Sequence, residues 1–456
     1  MSGKQIPYKI VLPQSEIPTK WYNIRADMKR LPPPYLSPAT KKPVSADELA
    51  VIFPPDIIYQ EMATERYVDI PTDVMEKYRL TRTTPLHRAY NLEKQLGTPA
   101  RIYYKHEGTN PSGSHKLNTA IPQAYYNKVA GIRRISTETG AGQWGTALSI
   151  ACDMYDMDCT VYMVKISYEQ KPYRRSIMNV FNAEVIASPS SRTEAGRKIL
   201  AEHPDSLGSL GIAISEAVED AATHDDTNYA LGSVLNHVIL HQTIIGQEAR
   251  KQMEYVDEYP DIVIGCNGGG SNFSGLAFPF LRDKLVNGSS TRFIAVESTA
   301  CPKLTKGKLT YDYSDTARLA PISMMYTLGH TFVPSGIHAG GLRYHGDSGL
   351  LSQLYADGYV EAVAVGQVEV FEAALKFARA EAIVPAPESA HAVCQAIKEA
   401  QRCKESGEAK VILFNLSGHG YLDLSAYEKF MAGQLGDDEE GVAAEINRAM
   451  KDIPVI

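Results

Sequence analysis

Lys116 lies in a stretch whose composition suits a reactive amine, NPSGSHKLNTA at residues 110–120. Glycine and serine residues precede it, and the residues that follow are typical of the start of a helix. Burial of a lysine in such a pocket lowers its pKa, and the neutral amine is a nucleophile. Exposed lysines are common, however, so Lys116 alone does not establish a reaction.

The stretch ETGAGQWG, residues 138–145, has the spacing G-x-G-x-x-G between a predicted strand and a predicted helix. A dinucleotide site would also need an acidic residue near the end of the second strand, to bind the ribose. That strand, CTVYMVK, ends at Lys165, and Glu169 follows in a predicted loop. The helix start therefore suits an anion of another kind, such as a carboxylate. Glu138 beside this anion site indicates a separate task for its own carboxyl group.

The stretch CNGGGSNFSG, residues 266–275, predicts a phosphate-binding cup between a buried strand and a helix. Without Cβ atoms, Gly268, Gly269 and Gly270 can wrap closely around a ligand and direct N–H groups at it. Ser271 and Asn272 can add side-chain donors. Because the loop lacks the lysine of a nucleotide P-loop, it favours a monophosphate over a triphosphate with magnesium.

Ser417, in NLSGHGYLD at residues 415–423, follows another apolar strand. A serine in this position is commonly a helix cap. Taken together with Lys116 and the glycine cup, it completes the set of groups that pyridoxal phosphate needs. A lysine forms the Schiff base, a cup binds the phosphate, and a polar group faces the pyridine nitrogen.

Strand-like apolar runs alternate with helical segments from residue 100 onward. The runs are ARIYYK (100–105), GIRRIST (131–137), CTVYMVK (159–165), AEVIAS (183–188), DIVIGC (261–266), RFIAVES (292–298) and KVILFNLS (410–417). The last three, nearly continuous in apolar residues, are typical of strands buried on both faces of a parallel sheet, and the alternation predicts an α/β protein. Two clusters of such units, before and after about residue 240, indicate two domains with a cleft between them. Ligands bind at the carboxyl ends of such strands, where the loops described above lie.

The first 60 residues differ from the rest because they are rich in proline, as in RLPPPYLSP and FPPD. Proline removes backbone donors and interrupts helices, so we expect residues 1–60 to form an arm packed on the body, the alternative being a partly disordered tail. The further divisions predicted are an N-terminal α/β domain at 61–240, a C-terminal α/β domain at 241–430 and a tail helix at 431–456.

Composition argues against several classes of protein. The chain has 456 residues and a net charge of −7, with no long basic run, which disfavours nucleic-acid binding. No window is long and apolar enough for a membrane span, and the N-terminus lacks the apolar core of a signal peptide. The six cysteines include no C-x-x-C pair, so we expect buried, reduced thiols in a cytoplasmic protein and no metal site.

A family resemblance joins these motifs. EGTNPSGSHKLNTA, TETGAGQWG, GCNGGGSN, GGLRYHG, PAPESAHA and LFNLSGHG, in this order between about residues 80 and 430, resemble the β chain of tryptophan synthase. They are most similar to the longer second class of that family, which the proline-rich arm also suits. The resemblance implies a fold-type II pyridoxal-phosphate enzyme with two three-layer α/β domains, parallel sheets and the cofactor in the cleft between them. In this fold, strands near 81–115 are expected to cross into the other domain.

The resemblance implies a carbon–oxygen lyase that makes L-tryptophan from indole and L-serine, or O-phosphoserine, through an aminoacrylate. Lys116 would form the Schiff base and remove the α-proton of serine, His115 would lie near the cofactor phosphate, and Ser417 would face the pyridine nitrogen. A neutral serine there leaves that nitrogen unprotonated, which favours β-elimination over transamination. The phosphate loop would comprise Gly268, Gly269, Gly270, Ser271 and Asn272.

The resemblance also assigns the substrate side of the site. Glu138 would help the serine hydroxyl leave and then bind the indole N–H. The substrate carboxylate would bind Thr139, Gly140, Ala141, Gly142 and Gln143. Two residues depart from the commoner class, Trp144 in place of a histidine and Arg343 in place of an aspartate. A cation at Arg343 would suit a more anionic donor such as O-phosphoserine.

Partners and alternatives follow from the same comparison. We expect a homodimer, with at most a weak or transient complex with a tryptophan synthase α chain. The principal alternative is another fold-type II enzyme, such as a serine or threonine dehydratase or a cysteine synthase. A nicotinamide-dependent oxidoreductase using GAGQWG is a remote alternative, and a non-catalytic binding protein would leave Lys116 and Glu138 unexplained.

Overall fold

The fold contains fifteen strands and nineteen α-helices, in a computed structural model that describes residues 6–456. The strands are β1 Lys9–Ile10, β2 Lys20–Tyr22, β3 Tyr67–Asp69, β4 Leu86–Arg88, β5 Arg101–His106, β6 Arg134–Thr139, β7 Asp158–Val164, β8 Glu184–Ser188, β9 Thr227–Tyr229, β10 Ile262–Cys266, β11 Arg292–Ser298, β12 Lys308–Tyr313, β13 Ile322–Thr327, β14 Glu361–Val365 and β15 Val411–Leu416. The helices are α1 Ala46–Leu49, α2 Pro55–Met62, α3 Thr72–Thr81, α4 Tyr90–Leu96, α5 Leu117–Val129, α6 Gln143–Met154, α7 Lys165–Gln170, α8 Pro172–Val180, α9 Glu194–Glu202, α10 Leu210–Ala222, α11 Asn236–Gln242, α12 Ile244–Glu254, α13 Ser271–Asn287, α14 Lys303–Lys306, α15 Gly349–Ala356, α16 Gln367–Glu381, α17 Pro387–Ser406, α18 Leu424–Met431 and α19 Glu439–Ala449.

Two sheets carry the fold. The larger has the order β1-β4-β5-β15-β10-β11-β14, and the smaller, β8-β7-β6-β9, is parallel throughout. In the larger sheet, five neighbouring strands are parallel, namely β5, β15, β10, β11 and β14. Strand β4 pairs antiparallel with both β1 and β5. The predicted parallel sheets are confirmed, and β4 adds an antiparallel strand near one edge of the larger sheet. Only residues 89–100 join β4 to β5, which is at the short limit of a parallel crossover, about a dozen residues.

Helices cover the larger sheet on both faces. In β10, Val263 belongs to the same hydrophobic cluster as Phe273 of α13, whereas its neighbours Ile262 and Ile264 belong to a second cluster with Val393 of α17. Successive strand residues point to opposite faces, so these two clusters lie on either side of the sheet. This confirms the predicted α/β fold with buried parallel strands, and it explains why the runs were apolar without alternation.

Each of the seven predicted apolar runs contains a strand, but other elements were not predicted. Among them are the short strand β9, the edge strand β14 and the antiparallel pair β12–β13. The expectation that Glu169 lies in a loop is wrong, because α7 begins as soon as β7 ends. Glu169 is exposed on that helix.

The arm lies against the larger sheet and its helices. Strand β1 pairs with β4, and Trp21 is fully buried, with its ring 4.5 Å from that of His241. Residues 1–5 of the predicted arm lie outside the described residues. The segment boundaries at 60, 240 and 430 stay predictions, and the tail contains α19 followed by a short 3-10 turn at Met450–Asp452.

Two further observations concern the exclusions made from sequence. Over residues 6–456, no helix combines the length and the apolar character needed to cross a membrane. All six cysteines are buried and unpaired.

Candidate active site

The loop after β15 is hydrogen-bonded to the loop before α5, and this brings Ser417 close to Lys116. The backbone N–H of His115 donates to the carbonyl of Ser417 (2.9 Å), and that of His419 donates to the carbonyl of Gly113 (3.0 Å). Two segments distant in sequence therefore run side by side at the carboxyl end of the larger sheet. This is where open α/β sheets bind ligands.

The Lys116 amine points into the interior at the start of α5. Its Nζ donates to the carbonyl oxygen of Gly232 and to Ser271 Oγ, the latter at 3.2 Å. Burial lowers the pKa of Lys116 to about 8, although the nearby Glu138 carboxylate opposes the shift. A substantial fraction of the amine is then neutral near physiological pH, as a nucleophile or a base requires.

The glycine loop is packed on its outer side by three different segments. An added Cβ would lie 2.3 Å from the Gly341 carbonyl oxygen at Gly268, 2.6 Å from Val234 at Gly269 and 3.0 Å from Ser348 Oγ at Gly270. Gly270 also has φ of +101°, which favours glycine. Within residues 6–456 the N–H groups of these three glycines donate to no other group. The loop therefore offers free donors on a backbone that tolerates no side chain.

Ser271 and Asn272 begin α13 and differ in what their side chains do. Ser271 Oγ lies 3.3 Å from His115 Nε2 and also accepts from Lys116. The Asn272 side chain turns away, since its Nδ2 donates to the Cys266 carbonyl (2.9 Å) and its Oδ1 accepts from Asn415 (2.7 Å). A contribution of Asn272 to an anion site would therefore come from its backbone N–H.

Ser417 is not a helix cap, because the next helix, α18, begins only at Leu424. Its hydroxyl lies 2.7 Å from Ser389 Oγ and 3.6 Å from Cys266 Sγ. These partners are neutral. Ser417 thus presents a hydroxyl without charge beside the glycine loop.

Glu138 lies at the end of β6, and its carboxyl group is buried. Tyr229 of β9 donates a hydrogen bond of 2.6 Å to Glu138 Oε2. Burial raises the pKa of Glu138 to about 8, with the Tyr229 bond and the Lys116 charge opposing the rise. At neutral pH the carboxyl is therefore largely protonated and can donate a proton.

The residues after Glu138 form the start of α6. Gly142 has φ of +89°, and an added Cβ there would lie 2.9 Å from Arg174 Cβ. Gln143 Nε2 donates to Glu388 Oε2 (3.3 Å), and Glu388 Oε1 accepts from the backbone N–H of Gly341 (2.9 Å). The loop Thr139–Gln143 is thereby fixed against the opposite side of the cleft.

Trp144 and Arg343, the two residues that depart from the commoner class, both lie at this loop. Trp144 Nε1 donates to Thr137 Oγ1 (2.7 Å), and the indole ring packs on Gly232, whose carbonyl binds Lys116. Arg343 is buried and donates to Ser167 Oγ (2.7 Å). It lines a small cavity together with Gly140, and burial lowers its pKa.

A mainly apolar cavity lies next to the side chain of Tyr229. Tyr229, the hydrogen-bond partner of Glu138, lines it together with Leu231 and Tyr344. The arm supplies part of the opposite wall, including Tyr35 and Phe53. The site thus places a proton donor one hydrogen bond away from an apolar cavity.

Several residues of the site were not identified individually from sequence. Tyr229 lies on a strand of only three residues, which periodicity cannot detect. Ser389 and Glu388 lie in PAPESAHA, a stretch that predicts no chemistry by its residue types alone. Cys266 and Arg174 carried no signal beyond their place in a strand and a helix. Their roles depend on contacts between segments distant in sequence.

The residues present fit pyridoxal phosphate. The free N–H groups of Gly268, Gly269 and Gly270 and the Ser271 hydroxyl can bind a phosphate, and Lys116 can bind the aldehyde carbon. Ser417 offers an uncharged hydroxyl to a ring nitrogen. Dinucleotide binding is not supported, since Glu169 is exposed on α7.

Comparison with known proteins agrees with this site. Residues 78–418 match the family model described as "Pyridoxal-phosphate dependent enzyme". The chain is 57% identical over 427 residues to tryptophan synthase beta chain 2 of Methanosarcina mazei, covering 94% of this chain and 97% of the relative. It is 59% identical over 432 residues to tryptophan synthase beta chain 2 of Aquifex aeolicus, covering 94% and 100% respectively.

A solved structure, the L-serine ammonia-lyase of Rhizomucor miehei, shares the fold. It has a TM-score of 0.58 at 16% identity, covering 78% of this chain and 99% of that one. The match to the family model and the high identity to relatives along nearly the whole chain lead to one assignment. This chain belongs to the pyridoxal-phosphate-dependent enzymes and, within them, to the family of tryptophan synthase β chains.

Proposed function

We propose that this protein forms L-tryptophan from indole and L-serine, or O-phosphoserine, by a pyridoxal-phosphate-dependent β-replacement, the last step of tryptophan biosynthesis. The observation that carries the proposal is the buried carboxyl group of Glu138, which interacts with the Lys116 amine and is hydrogen-bonded to Tyr229 in the wall of the apolar cavity. The relatives' names support the same activity for this chain.

Lys116 and the loop Thr139–Gln143 act on the amino-acid substrate. Bound pyridoxal phosphate supplies an electron sink for the carbon that loses its proton. The start of α6 binds the substrate carboxylate through backbone N–H groups, and this orients the α-proton toward Lys116. With its pKa lowered to about 8, the neutral Lys116 amine accepts that proton.

Glu138 acts first as an acid and then as a hydrogen-bond acceptor. With a pKa raised to about 8, its carboxyl donates a proton to the departing hydroxyl group of serine. The resulting carboxylate accepts a hydrogen bond from the N–H of indole in the adjoining apolar cavity. Tyr229, 2.6 Å from Glu138, fixes the orientation of the carboxyl throughout.

The donor substrate depends on Arg343. A buried guanidinium that lines the same small cavity as Gly140 would attract the phosphate of O-phosphoserine. The Arg343→Asp variant should therefore shift the ratio of kcat/KM for O-phosphoserine to that for L-serine toward serine, by about tenfold or more. A wild-type enzyme that strongly prefers L-serine, together with no shift in the variant, would contradict this role.

A deaminating enzyme of the same fold is the second candidate, since the ammonia-lyase shares the architecture. Deamination needs neither the apolar cavity nor a carboxyl group at its edge. In the Glu138→Ala variant we expect tryptophan formation to fall by about 100-fold, in line with the loss of a general acid. Full activity with indole in that variant would exclude the proposed mechanism.

The first test is the visible absorption spectrum of the purified protein with pyridoxal phosphate. We expect an absorption band of the bound cofactor that shifts when L-serine is added, and L-tryptophan after addition of indole. The Lys116→Ala variant should lose the band, whereas Lys128→Ala, at an exposed lysine of the same helix, should keep it. A protein that takes up no pyridoxal phosphate would overturn the proposal.

The proposed oligomeric state is based only on membership of the family. We expect a homodimer, and at most a weak complex with a tryptophan synthase α chain. Sedimentation of the enzyme alone and with an α chain measures both.

A further inference from the structure

A buried lysine that takes no part in the proposed reaction lies beneath the glycine loop. Lys303, the first residue of α14, has no exposed surface. Its Nζ donates to the carbonyl oxygen of Asn267, the residue before Gly268, at 3.0 Å. A buried ammonium is costly to maintain unless its partners compensate it, so its contacts indicate what it does.

Two carboxylates flank this ammonium. Lys303 Nζ lies 3.7 Å from Glu297 Oε2 and 3.8 Å from Asp347 Oδ2. Asp347 Oδ2 also accepts a hydrogen bond of 2.5 Å from the Asn267 side chain. Burial raises the pKa of Asp347 to about 6, and the Lys303 charge opposes that rise. Near neutral pH the Lys303 ammonium and the two carboxylates therefore form a buried ion cluster, and two of its members bind Asn267.

The geometry of the peptide bond connects this cluster to the cup. In a planar trans peptide the C=O of one residue and the N–H of the next point in opposite directions. With the Asn267 carbonyl bound to Lys303, the Gly268 N–H must point to the other side of the loop. That N–H donates to no group within the described residues and is free to bind a phosphate oxygen.

Two later peptide groups of the loop are fixed by backbone donors instead. The Gly269 carbonyl accepts from Val234 N–H at 3.1 Å, and the Gly270 carbonyl accepts from Ser274 N–H at 2.9 Å. These bonds orient the N–H groups of Gly270 and Ser271 in the same manner. At Asn267 the charged side chain of Lys303 thus provides the hydrogen-bond donor that backbone N–H groups provide at Gly269 and Gly270.

We infer that Lys303 is a positioning residue, whose buried ammonium orients the Gly268 N–H toward the cofactor phosphate. In this role it acts through the Asn267 peptide group and not by contact with the cofactor or substrate. The inference deepens the proposed function, since it rests on pyridoxal phosphate being bound in the glycine cup. It predicts that loss of the charge weakens binding of the phosphate group specifically.

The test compares pyridoxal phosphate with pyridoxal, which lacks the phosphate. Affinities of the full-length protein for both are measured by absorption titration, and their ratio reports the phosphate contribution alone. In Lys303→Met, which keeps the length of the side chain without its charge, we expect that ratio to fall by about tenfold or more, the size of a lost hydrogen bond to a charged group.

Lys105→Met is the matched control. Lys105 is equally buried, and it bonds Glu248 (2.7 Å), Gln252 (2.8 Å) and the Thr84 carbonyl (2.6 Å), away from the loop. Its loss should lower the stability to urea but leave the ratio unchanged. An unchanged ratio in Lys303→Met, or an equal fall in both variants, would overturn the inference.

Cation rescue separates charge from packing. In Lys303→Ala, ammonium chloride should restore part of the ratio, because the carboxylates and the Asn267 carbonyl can bind a small cation, whereas tetramethylammonium chloride at the same ionic strength should not. Equal effects of the two salts would reject the role of the charge.

A second variant keeps the inference testable if the first one does not fold. If Lys303→Met does not fold, the double variant Lys303→Met/Asp347→Asn, which removes one charge of each sign, carries the same comparison. Failure of the double variant to fold would assign Lys303 to folding and reject the positioning role. A wild type that binds neither ligand would instead overturn the proposed function.

Discussion

At the scale of single residues, burial sets the chemistry of the site by moving two pKa values toward each other. Burial lowers the pKa of Lys116 to about 8 and raises that of Glu138 to about 8. Near neutral pH the Glu138 carboxyl is then largely protonated and can donate a proton, while an appreciable minor fraction of the Lys116 amine is neutral and can accept one. Mutual attraction between their charged forms limits both shifts.

The buried carboxyl of Glu138 should make stability depend on pH. Its pKa in the folded, cofactor-free protein is about 8, above the ordinary 4.5, so its contribution is complete below pH 4.5 and is lost as pH rises toward 8. The Glu138→Gln variant cannot lose a proton there. Urea unfolding at several pH values should show wild type losing stability relative to the variant over this range, by at most about 1.4 kcal/mol per pH unit. A difference that does not change with pH would contradict the burial of an ionisable Glu138.

At the scale of elements, the two helices proposed to bind anions begin in the same way. Helix α6 follows Gly142 and helix α13 follows Gly270, and both glycines have positive φ. This conformation turns the chain sharply out of a buried strand, so that the first N–H groups of the helix face the cleft. Neighbouring segments fill the space where a side chain would lie.

Gly270→Ala should weaken pyridoxal phosphate binding more than its strain alone would suggest. Positive φ costs a non-glycine residue about 1–3 kcal/mol, and the new Cβ would also press on Ser348 and Asp347. Gly288→Ala is the matched control, since Gly288 ends the same helix with φ of +71° and has no atom within 4 Å of an added Cβ. Cofactor titration of both variants gives the comparison. An equal loss of affinity in the two variants would show that the position of Gly270 in the glycine loop has no special effect on cofactor binding.

At the scale of the whole molecule, the arm is part of the core and of the site. Trp21 is fully buried, while Tyr35 and Phe53 line the apolar cavity beside Glu138. Glu61 accepts hydrogen bonds from the backbone N–H groups of Asn236 and His237 (both 2.9 Å), which fixes α2 to the start of α11. Helix α2, which begins within the arm and ends just beyond it, therefore links the arm to the segment that follows Gly232.

Trp21→Ala tests how strongly the arm contributes to the stability of the fold. Removal of a fully buried indole ring should lower the free energy of unfolding by about 3–5 kcal/mol. Val11→Ala, at a half-exposed site on the same arm, should change it by less than about 0.5 kcal/mol. Urea unfolding of the three proteins, followed by circular dichroism, measures both. A small effect of Trp21→Ala would mean that the arm is held only loosely.

The local patterns determined the fold class and the principal loops of the site. Apolar runs predicted β5, β6, β7, β8, β10, β11 and β15, because strands buried on both faces need continuous apolar sequence. The glycine motifs predicted two anion-binding helix starts, because positive φ and close approach both require glycine. These properties depend on residues adjacent in the chain, so the sequence alone carries them.

Only the tertiary structure decided which groups meet. Tyr229 reaches Glu138 from a strand of three residues, Lys303 lies under a loop more than thirty residues earlier, and β4 enters the larger sheet antiparallel. The Asn272 side chain, expected to line the cup, turns to Asn415 instead. Contacts between distant segments, and the pKa values of groups that they bury, depend on how the sheets and helices pack. No local pattern records that packing.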